Sequence, residues 1–416
     1  MNVLPLRGLR PRADVAAKIP SLPYDVLDAN EARALAKDDP YTFLHVVKAE
    51  IDLDPAIDAH DPRVYAKARE NFVAMRRIGW LVRDERPAFY LYRQRMGEHV
   101  QTGVVGAALV DDYLEGRIKK HEHTRPDKED DRTRHADAIG AHAGPVFLAY
   151  RANRSVDALV EEGTRRPPAV DFVAADGIGH ALWVIDDPNE TAALEAALRE
   201  VPASYIADGH HRAAAYGRVA RIRREGAPRL SSEERPFDRF LAVHFPATSL
   251  RILDYNRLVR DLNGLEPVEL LRRIEAAGFD SVEPWSDRTP AAAGSFGMYV
   301  GGVWRLLVAR QETIEASDPV ERLDVAVLQS RILGPILGVL DPRTDARITF
   351  SGGIRGLAEL ARRVDSGEHA VAFAMHPTSL DDVMRVADAG LVMPPKSTWF
   401  EPKLRSGMVV HLLDEN

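Results

Sequence analysis

Apolar and polar positions repeat along the chain with two periods, and each change of period marks an element. In "RVYAKARENFVAMRRIGWLV" apolar residues at 72, 73, 75, 78 and 81 give the stripe of an amphipathic helix. Two β-rich runs in "AFYLYRQRMGEHVQTGVVGAALVDDY" flank Met96-Gly97-Glu98 and predict an antiparallel hairpin. Upstream, "PYDVLDANEARALAKDDPYTFLHVVKAE" predicts a Pro-Tyr-Asp turn, a short helix and then a strand, with Asp28 as N-cap and Glu31 its reciprocal partner. Residues 115–142, "EGRIKKHEHTRPDKEDDRTRHADAIGAH", begin as a polar loop and turn helical by "EDDRTRHADAIGAH". "PVFLAY", "HALWVI", "ASYIAD" and "FDRFLAVHFP" read as strands, while "NETAALEAALREV" and "RAAAYGRVARIRREG" read as helices.

Beyond residue 250 the pattern restarts. An amphipathic helix ("PVELLRRIEAAGF"), a hairpin turned by Gly301-Gly302 and an apolar helix ("RLDVAVLQSRILGPILGV") predict a further α/β unit. The tail reads as strand, helix, irregular polar loop and closing strand. Four segments follow: a mixed N-terminal segment at 1–85, a core at 86–250, an additional α/β unit at 251–345 and a C-terminal segment at 346–416. The fold class is mixed α/β (α+β) with largely antiparallel strands, since the regular βαβ alternation of a doubly wound sheet is missing.

Composition narrows the function. The 416 residues hold 55 Lys+Arg against 63 Asp+Glu, a net charge of −8. That balance disfavours a nucleic-acid partner held mainly by charge. With no cysteine, disulfides, thiolate zinc sites and a cysteine nucleophile are excluded. No apolar run reaches the roughly 18–20 residues of a bilayer span, and the first twenty residues show no signal-peptide pattern. The expectation is a cytoplasmic protein with no membrane partner.

Three stretches carry candidate chemistry. In "YIADGHHRAAAY" a strand ends at Asp208, Gly209 permits close backbone approach, and a helix starts with His210, His211 and Arg212. Free N–H groups and the helix dipole at such a junction favour an anion. Arg212 adds a planar fork for phosphate, and Asp208 is left to hold a Mg²⁺ ion or to orient a neighbour. Helix capping with solvated His and Arg explains any one of these residues; it does not explain the whole run. In "KKHEHT" an extended backbone puts His121 and His123 on one side and Glu122 on the other. As a general base Glu122 needs an apolar wall or a substrate hydroxyl beside it, and a solvated loop is the equally weighted alternative. In "MPPKSTWFEPKLRSG", Lys396, Ser397, Thr398, Lys403 and Arg405 form a basic, hydroxyl-bearing loop, ordinary on a surface but able to complete a polyphosphate cradle. The Pro23-Tyr24-Asp25 turn reads as structural capping that a site could recruit. Walker A, kinase catalytic-loop, G-x-S-x-G and H-E-x-x-H patterns are missing.

The pairing of "HEHT" (121–124) with "DGHHR" (208–212) resembles the free-serine kinases of the ParB/sulfiredoxin-like fold. Over nearly its whole length, through "PYDVLDANEA", "KKHEHT", "YIADGHHRAAAY", "LDVAVLQSRILGPILG" and "PPKSTWFEPKLRSG", the chain also resembles the domain of unknown function 1015 family. The kinase resemblance implies a ParB/sulfiredoxin-like core and phosphotransfer to L-serine, giving O-phospho-L-serine. It implies Glu122 as catalytic base, with Asp208, Gly209, His211 and Arg212 as the phosphate- and substrate-binding loop. His123, inserted before Thr124, departs from the pattern and bears on the helper role of Thr124. Inorganic pyrophosphate is the slightly favoured donor, with ATP or ADP the alternative. His121, Thr124 and either Arg125 or Arg132 are candidates for the serine side, and a homo-oligomer is compatible. Two other readings stand beside this one. A metal-dependent phosphohydrolase would use His121, His123, His210 and Asp208 as ligands. A nucleotide-binding ParB-like module is the third.

Overall fold

A computed structural model describes residues 1–226, 235–283, 285 and 289–414, and the structural statements below refer to these. The chain divides into two compact units, Met1–Leu250 with Pro402–Asn416, and Arg251–Glu401.

Local signals in the first unit behave as their chemistry dictates. Asp28 accepts from the backbone N–H groups of Asn30 and Glu31, and Glu31 returns a bond to the Asp28 N–H, so the capping box opens the Ala29–Ala36 helix. Helix α1 (Pro62–Ile78) starts behind the Asp61 cap and stops at Gly79, whose φ of 81° is the left-handed conformation that glycine adopts without strain. Its buried face is Val64, Tyr65, Ala68, Phe72 and Met75, while Val73 and Ile78, expected inside, are about half exposed. The run "LHVV", expected as a strand, is a helical turn at Leu44–Val47 that continues into Ala49–Asp52. Packing decides this: Asn71 of α1 donates to the His45 carbonyl at 2.7 Å, and Leu44, Val46 and Val47 join the cluster around Phe43 and Phe72.

The sheet of this unit has nine strands: β1 (Val3–Leu4), β2 (Phe89–Met96), β3 (His99–Leu109), β4 (Ile118–Lys119), β5 (Val146–Tyr150), β6 (Val170–Val173), β7 (Gly179–Ile185), β8 (Ser204–Asp208) and β9 (Arg239–Pro246). Their spatial order is β4-β8-β5-β9-β3-β2-β7-β6, with β1 on β3. The expected β2–β3 hairpin closes with Met96 opposite His99. Pairings are antiparallel except β4 with β8 and β5 with β9. Helices α2 (Pro126–Ile139) and α3 (His210–Gly226) pack together. Ala136 of α2 and Ala213, Tyr216 and Val219 of α3 share a core with Ile118, Ile206 and Phe240. Helix α2 begins at Pro126, several residues earlier than the charge pattern suggested.

The second unit contains a six-stranded, antiparallel sheet of β10 (Tyr255–Val259), β11 (Phe279–Val282), β12 (Ser295–Val300), β13 (Val303–Ala309), β14 (Ile348–Gly352) and β15 (Val371–Met375), ordered β11-β13-β12-β15-β10-β14. Gly301-Gly302 make the predicted turn, both with positive φ. The apolar helix is only Asp324–Leu328, followed by a wider turn at Gln329–Leu333. The four expected segments therefore regroup. Residues 1–85 and 86–250 share one unit, and 251–345 continues to Glu401. The chain's last stretch returns to the first unit, where His411–Leu412 pair with Ala141–His142 and Ser406 bridges to Ser21. No helix among the described residues is long and apolar enough to cross a membrane.

Candidate functional site

Two short motifs distant in sequence meet because their strands are neighbours. β4 runs parallel to β8, with Ile118 opposite Ser204 and Lys119 opposite Tyr205. β4 ends at Lys119 and β8 at Asp208, so Lys120 to His123 and Gly209 to His210 leave the sheet at the same end. The register of β8 against β5 shifts between Ile206 and Asp208, a bulge of the kind that re-aims side chains. Gly209 then turns with φ of 91°, and a Cβ there would lie 2.9 Å from Arg212 Nε. That position needs glycine for both conformation and space.

The resulting cluster is dense in charge. The Gly209 N–H donates to Asp208 Oδ1 at 2.9 Å, while Lys403 Nζ and Arg212 Nη2 each lie 3.5 Å from Asp208 Oδ2. Burial pushes the Asp208 carboxyl up, but Lys403, Arg212 and His210 outweigh it and hold the group below the usual carboxylate range. Glu122 Oε2 stands 3.9 Å from His210 Nδ1, on a side chain 57% exposed and so open to a small molecule. His121 and His210 meet edge to face with ring centroids 4.5 Å apart. Both are buried, and the two His121 ring nitrogens and His210 Nε2 lack hydrogen-bond partners. Burial lowers the His121 imidazole to about 4 despite Asp208, and burial together with His121 depresses His210 well below its ordinary value. Both rings are therefore neutral at pH 7. His211 Nε2 accepts from the Arg125 N–H at 3.1 Å, which ties the two motifs a second time.

Arg212 is buried, donates through Nη1 to the Pro145 carbonyl at 2.6 Å and leaves Nε unpartnered. A buried guanidinium with an unmatched donor beside a helix N-terminus suits an arriving anion. The other expected residues separate. Thr124 Oγ1 donates to Glu129 at 3.2 Å, and Arg125 turns outward to Asp127. Arg132 is held by Asp131. The basic loop is split between the units. Lys403 and Arg405 belong to the first, whereas Lys396, Ser397 and Thr398 belong to the second. There Lys396 Nζ lies 5.7 Å from the Tyr255 ring centroid, and Ser397 Oγ donates to the Pro394 carbonyl.

Arg405, expected on phosphate, is instead spent inside the protein on Asp176 and on His180 Nε2 at 3.3 Å, and His180 Nδ1 meets the Tyr92 hydroxyl at 2.8 Å. Alongside, Gln101 donates to Gln94 Oε1 at 3.0 Å and Gln94 donates to the Lys403 carbonyl at 2.9 Å. These groups clamp the segment that carries Lys403. Sequence reasoning passed over Gln94, Gln101 and His180. The available signal was parity: Gln94 continues the buried series Tyr90, Tyr92 along β2, a polar residue in a core-facing position.

A resident metal does not fit this donor set. Asp208 is already engaged by two cations and a backbone N–H. Among the described residues no three His, Asp or Glu side chains come together as an ion-binding group. The ligand cluster expected for a metal-dependent phosphohydrolase is thus not assembled among them.

Fold and site together define a mixed α/β protein with an anion-ready strand-to-helix junction beside an accessible carboxylate. The chain belongs to the family described as protein of unknown function (DUF1015), which matches residues 3–326. No curated protein is similar enough in sequence to count as a relative. Among solved structures it is similar to a free serine kinase in complex with AMP, at 14% identity over 72% of this chain and 86% of that one, with a TM-score of 0.33. It is similar also to a conserved hypothetical protein from Pyrococcus furiosus, at 14% identity over 76% and 97% with a TM-score of 0.35. A third is SbnI with C-terminal truncation from Staphylococcus aureus, at 13% identity over 71% and 82% with a TM-score of 0.36. Likeness this loose carries no argument about chemistry, which has to come from the site.

Proposed function

We propose that the protein transfers a phosphoryl group to the hydroxyl of a small amino acid, L-serine, giving O-phospho-L-serine. The observation that carries this reading is the 3.9 Å approach of Glu122 to His210, at the start of the helix whose Arg212 faces Asp208. Phosphoryl transfer asks a protein for an aligned nucleophile, a base and positive charge on the moving group. Glu122 takes the proton of the serine hydroxyl. The serine oxygen bonds to phosphorus as the bond to the donor's leaving phosphate breaks. Arg212, Lys403 and the free N–H groups of α3 receive the negative charge, with neutral His210 and His211 as further ligands. Asp208 holds Lys403 and Arg212 in place between turnovers.

The donor-side groups are all phosphate ligands, which favours pyrophosphate over ATP or ADP. Magnesium belongs to this reading as the companion of the donor's phosphates rather than as an ion held by the protein alone. The test is direct. The protein is incubated with L-serine, Mg²⁺ and, separately, pyrophosphate, ADP and ATP, and phosphoserine is followed by ³¹P NMR. Product with at least one donor, lost in Glu122→Gln, is expected. No phosphoserine from any donor overturns the reading.

A further inference from the structure

The Pro23-Tyr24-Asp25 turn has no part in the phosphate-gripping cluster, yet the fold brings it there. The Arg132 guanidinium stacks on the Tyr24 ring, 4.1 Å from its centroid. Arg132 Nε and Nη2 are committed to Asp131 at 2.9 and 2.7 Å. Its Nη1 reaches the Val47 carbonyl only at 3.5 Å, the limit of a hydrogen bond. Tyr24, Arg132, Arg212 and Ser406 line one cavity of about 20 Å³, closed elsewhere by Val47, His135, three alanines, Gly144 and Tyr216. A water needs roughly 10–15 Å³ measured in this way, so the space suits a group of one to two water-sized atoms, such as a carboxylate. Arg212 forms one wall of this cavity and touches Asp208 as well. Exposed Asp25 is the leading opposite charge acting on both Arg212 and His211. Arg125, by contrast, has a side chain 70% exposed and turned to Asp127.

We propose that this cavity takes the α-carboxylate of the acceptor amino acid, gripped by Arg132 Nη1 and Arg212, with Asp25 at the rim pairing with the acceptor's ammonium. The inference rests on the phosphotransfer reading and selects Arg132 over Arg125. Two guanidiniums provide planar donors for a carboxylate, and the hydroxyls of Tyr24 and Ser406 can satisfy its remaining lone pairs. The small volume leaves no room for more than the carboxylate, so the hydroxymethyl end stays outside, on the side where Arg212 meets Asp208. Specificity for a zwitterion follows, because an amide or a hydrogen in place of the carboxylate leaves buried donors unmatched.

The test measures KM for L-serine and for the donor in the full-length protein, with L-serinamide and ethanolamine as acceptors lacking the carboxylate. The wild type is expected to prefer L-serine to either by 100-fold or more. Arg132→Met should raise the serine KM at least tenfold, leave the donor KM within twofold and erase the preference over serinamide, while Arg125→Ala changes neither constant. Should Arg132→Met fail to fold with Asp131 left to Tyr65 and His60 alone, Ala143→Val fills the same cavity and should raise the serine KM alone. An active Arg132→Met or Ala143→Val enzyme with serine KM and serinamide discrimination intact overturns the proposal, as does an effect confined to Arg125→Ala. If the wild type makes no phosphoserine, the phosphotransfer reading fails first. Calorimetric binding of L-serine, lost in Arg132→Met or absent throughout, then decides the cavity independently.

Discussion

In the first unit His121, His142, His180, His210 and His244 lie inside the protein beside Arg212 and Arg405, whereas the interior of the second is filled by Phe279, Phe296, Met298, Leu307, Leu328, Ile332 and Phe373. Both units are sheets flanked by helices, so architecture does not account for the difference. Desolvating an imidazole or a guanidinium costs stability that a hydrocarbon would have supplied. Such groups persist where their chemistry is used: His121 and His210 follow the ends of β4 and β8, and His180 lies at the start of β7. Among its described residues the second unit has fewer such groups, namely buried Arg257 and His369 and the carboxyl of Asp324. Asp324 accepts from the Gly294 N–H at 2.7 Å, and burial pushes it up to about 6.

The comparison breaks most visibly through catalysis. Glu122→Gln and Asp208→Asn are each expected to lower phosphoserine formation by about 10²–10⁴-fold, the usual weight of a general base or a charge-organising group. Asp324→Asn should leave turnover within twofold. Equal losses in Asp208→Asn and Asp324→Asn, measured as kcat/KM, would dissolve the distinction between the units.

Stability comes next. Arg405→Met leaves the buried His180 Nε2 without its donor, while Asp176, 40% exposed, turns to water. The substitution is expected to cost about 1–3 kcal/mol in urea unfolding. Gly209→Ala forces a Cβ against Arg212 at positive φ and should cost about 1–3 kcal/mol, with weakened donor binding.

Acid sharpens the contrast through opposite signs. His121, His135 and His411 are lowered to about 4 and His180 and His244 to about 3, each mainly by burial. The unfolded chain therefore binds protons that the folded first unit refuses, and stability falls as pH drops from about 6.5 toward 4. In the second unit burial raises Asp324 but lowers His369, which also feels Arg363. The folded Asp324 carboxyl takes its proton before the unfolded one does, which regains stability as pH falls from about 6 to 4 and offsets the loss from His369. Hydrogen exchange across this range should show protection lost in β5, β7 and β8 while β12 and β15 hold. The smallest expected effect follows from the same carboxyl. Asp324→Asn should stabilise the protein by about 1–2 kcal/mol at pH 7 and by nothing measurable at pH 4.

What the sequence disclosed depended on how local the signal was. The Asp28–Glu31 box, the Gly97 and Gly301-Gly302 turns and the strand–glycine–helix junction at Asp208 are each complete within a few residues, and each is where the pattern put it. The meeting of Glu122 with His210 followed from a resemblance; no periodicity predicts that β4 pairs with β8. Arg405 was misjudged because its partners, Asp176 and His180, lie more than two hundred residues away along the chain. The partition of the chain was missed for a similar reason. Residues 402–414 return to the first unit, where His411–Leu412 pair with Ala141–His142, and composition does not change where they do so.

The β4–β8 pairing spans only Ile118–Lys119 and Ser204–Tyr205. Alignment of the two motifs is thus set within a few ångströms of where they act, with β5 beside β8 and α2 against α3 holding it. Only the loops between those elements are at liberty to lengthen, shorten or acquire new appendages over evolutionary time without misaligning the carboxylate. An extra residue placed after Glu122, as His123 is, falls beyond the point of alignment and leaves its predecessor where it was.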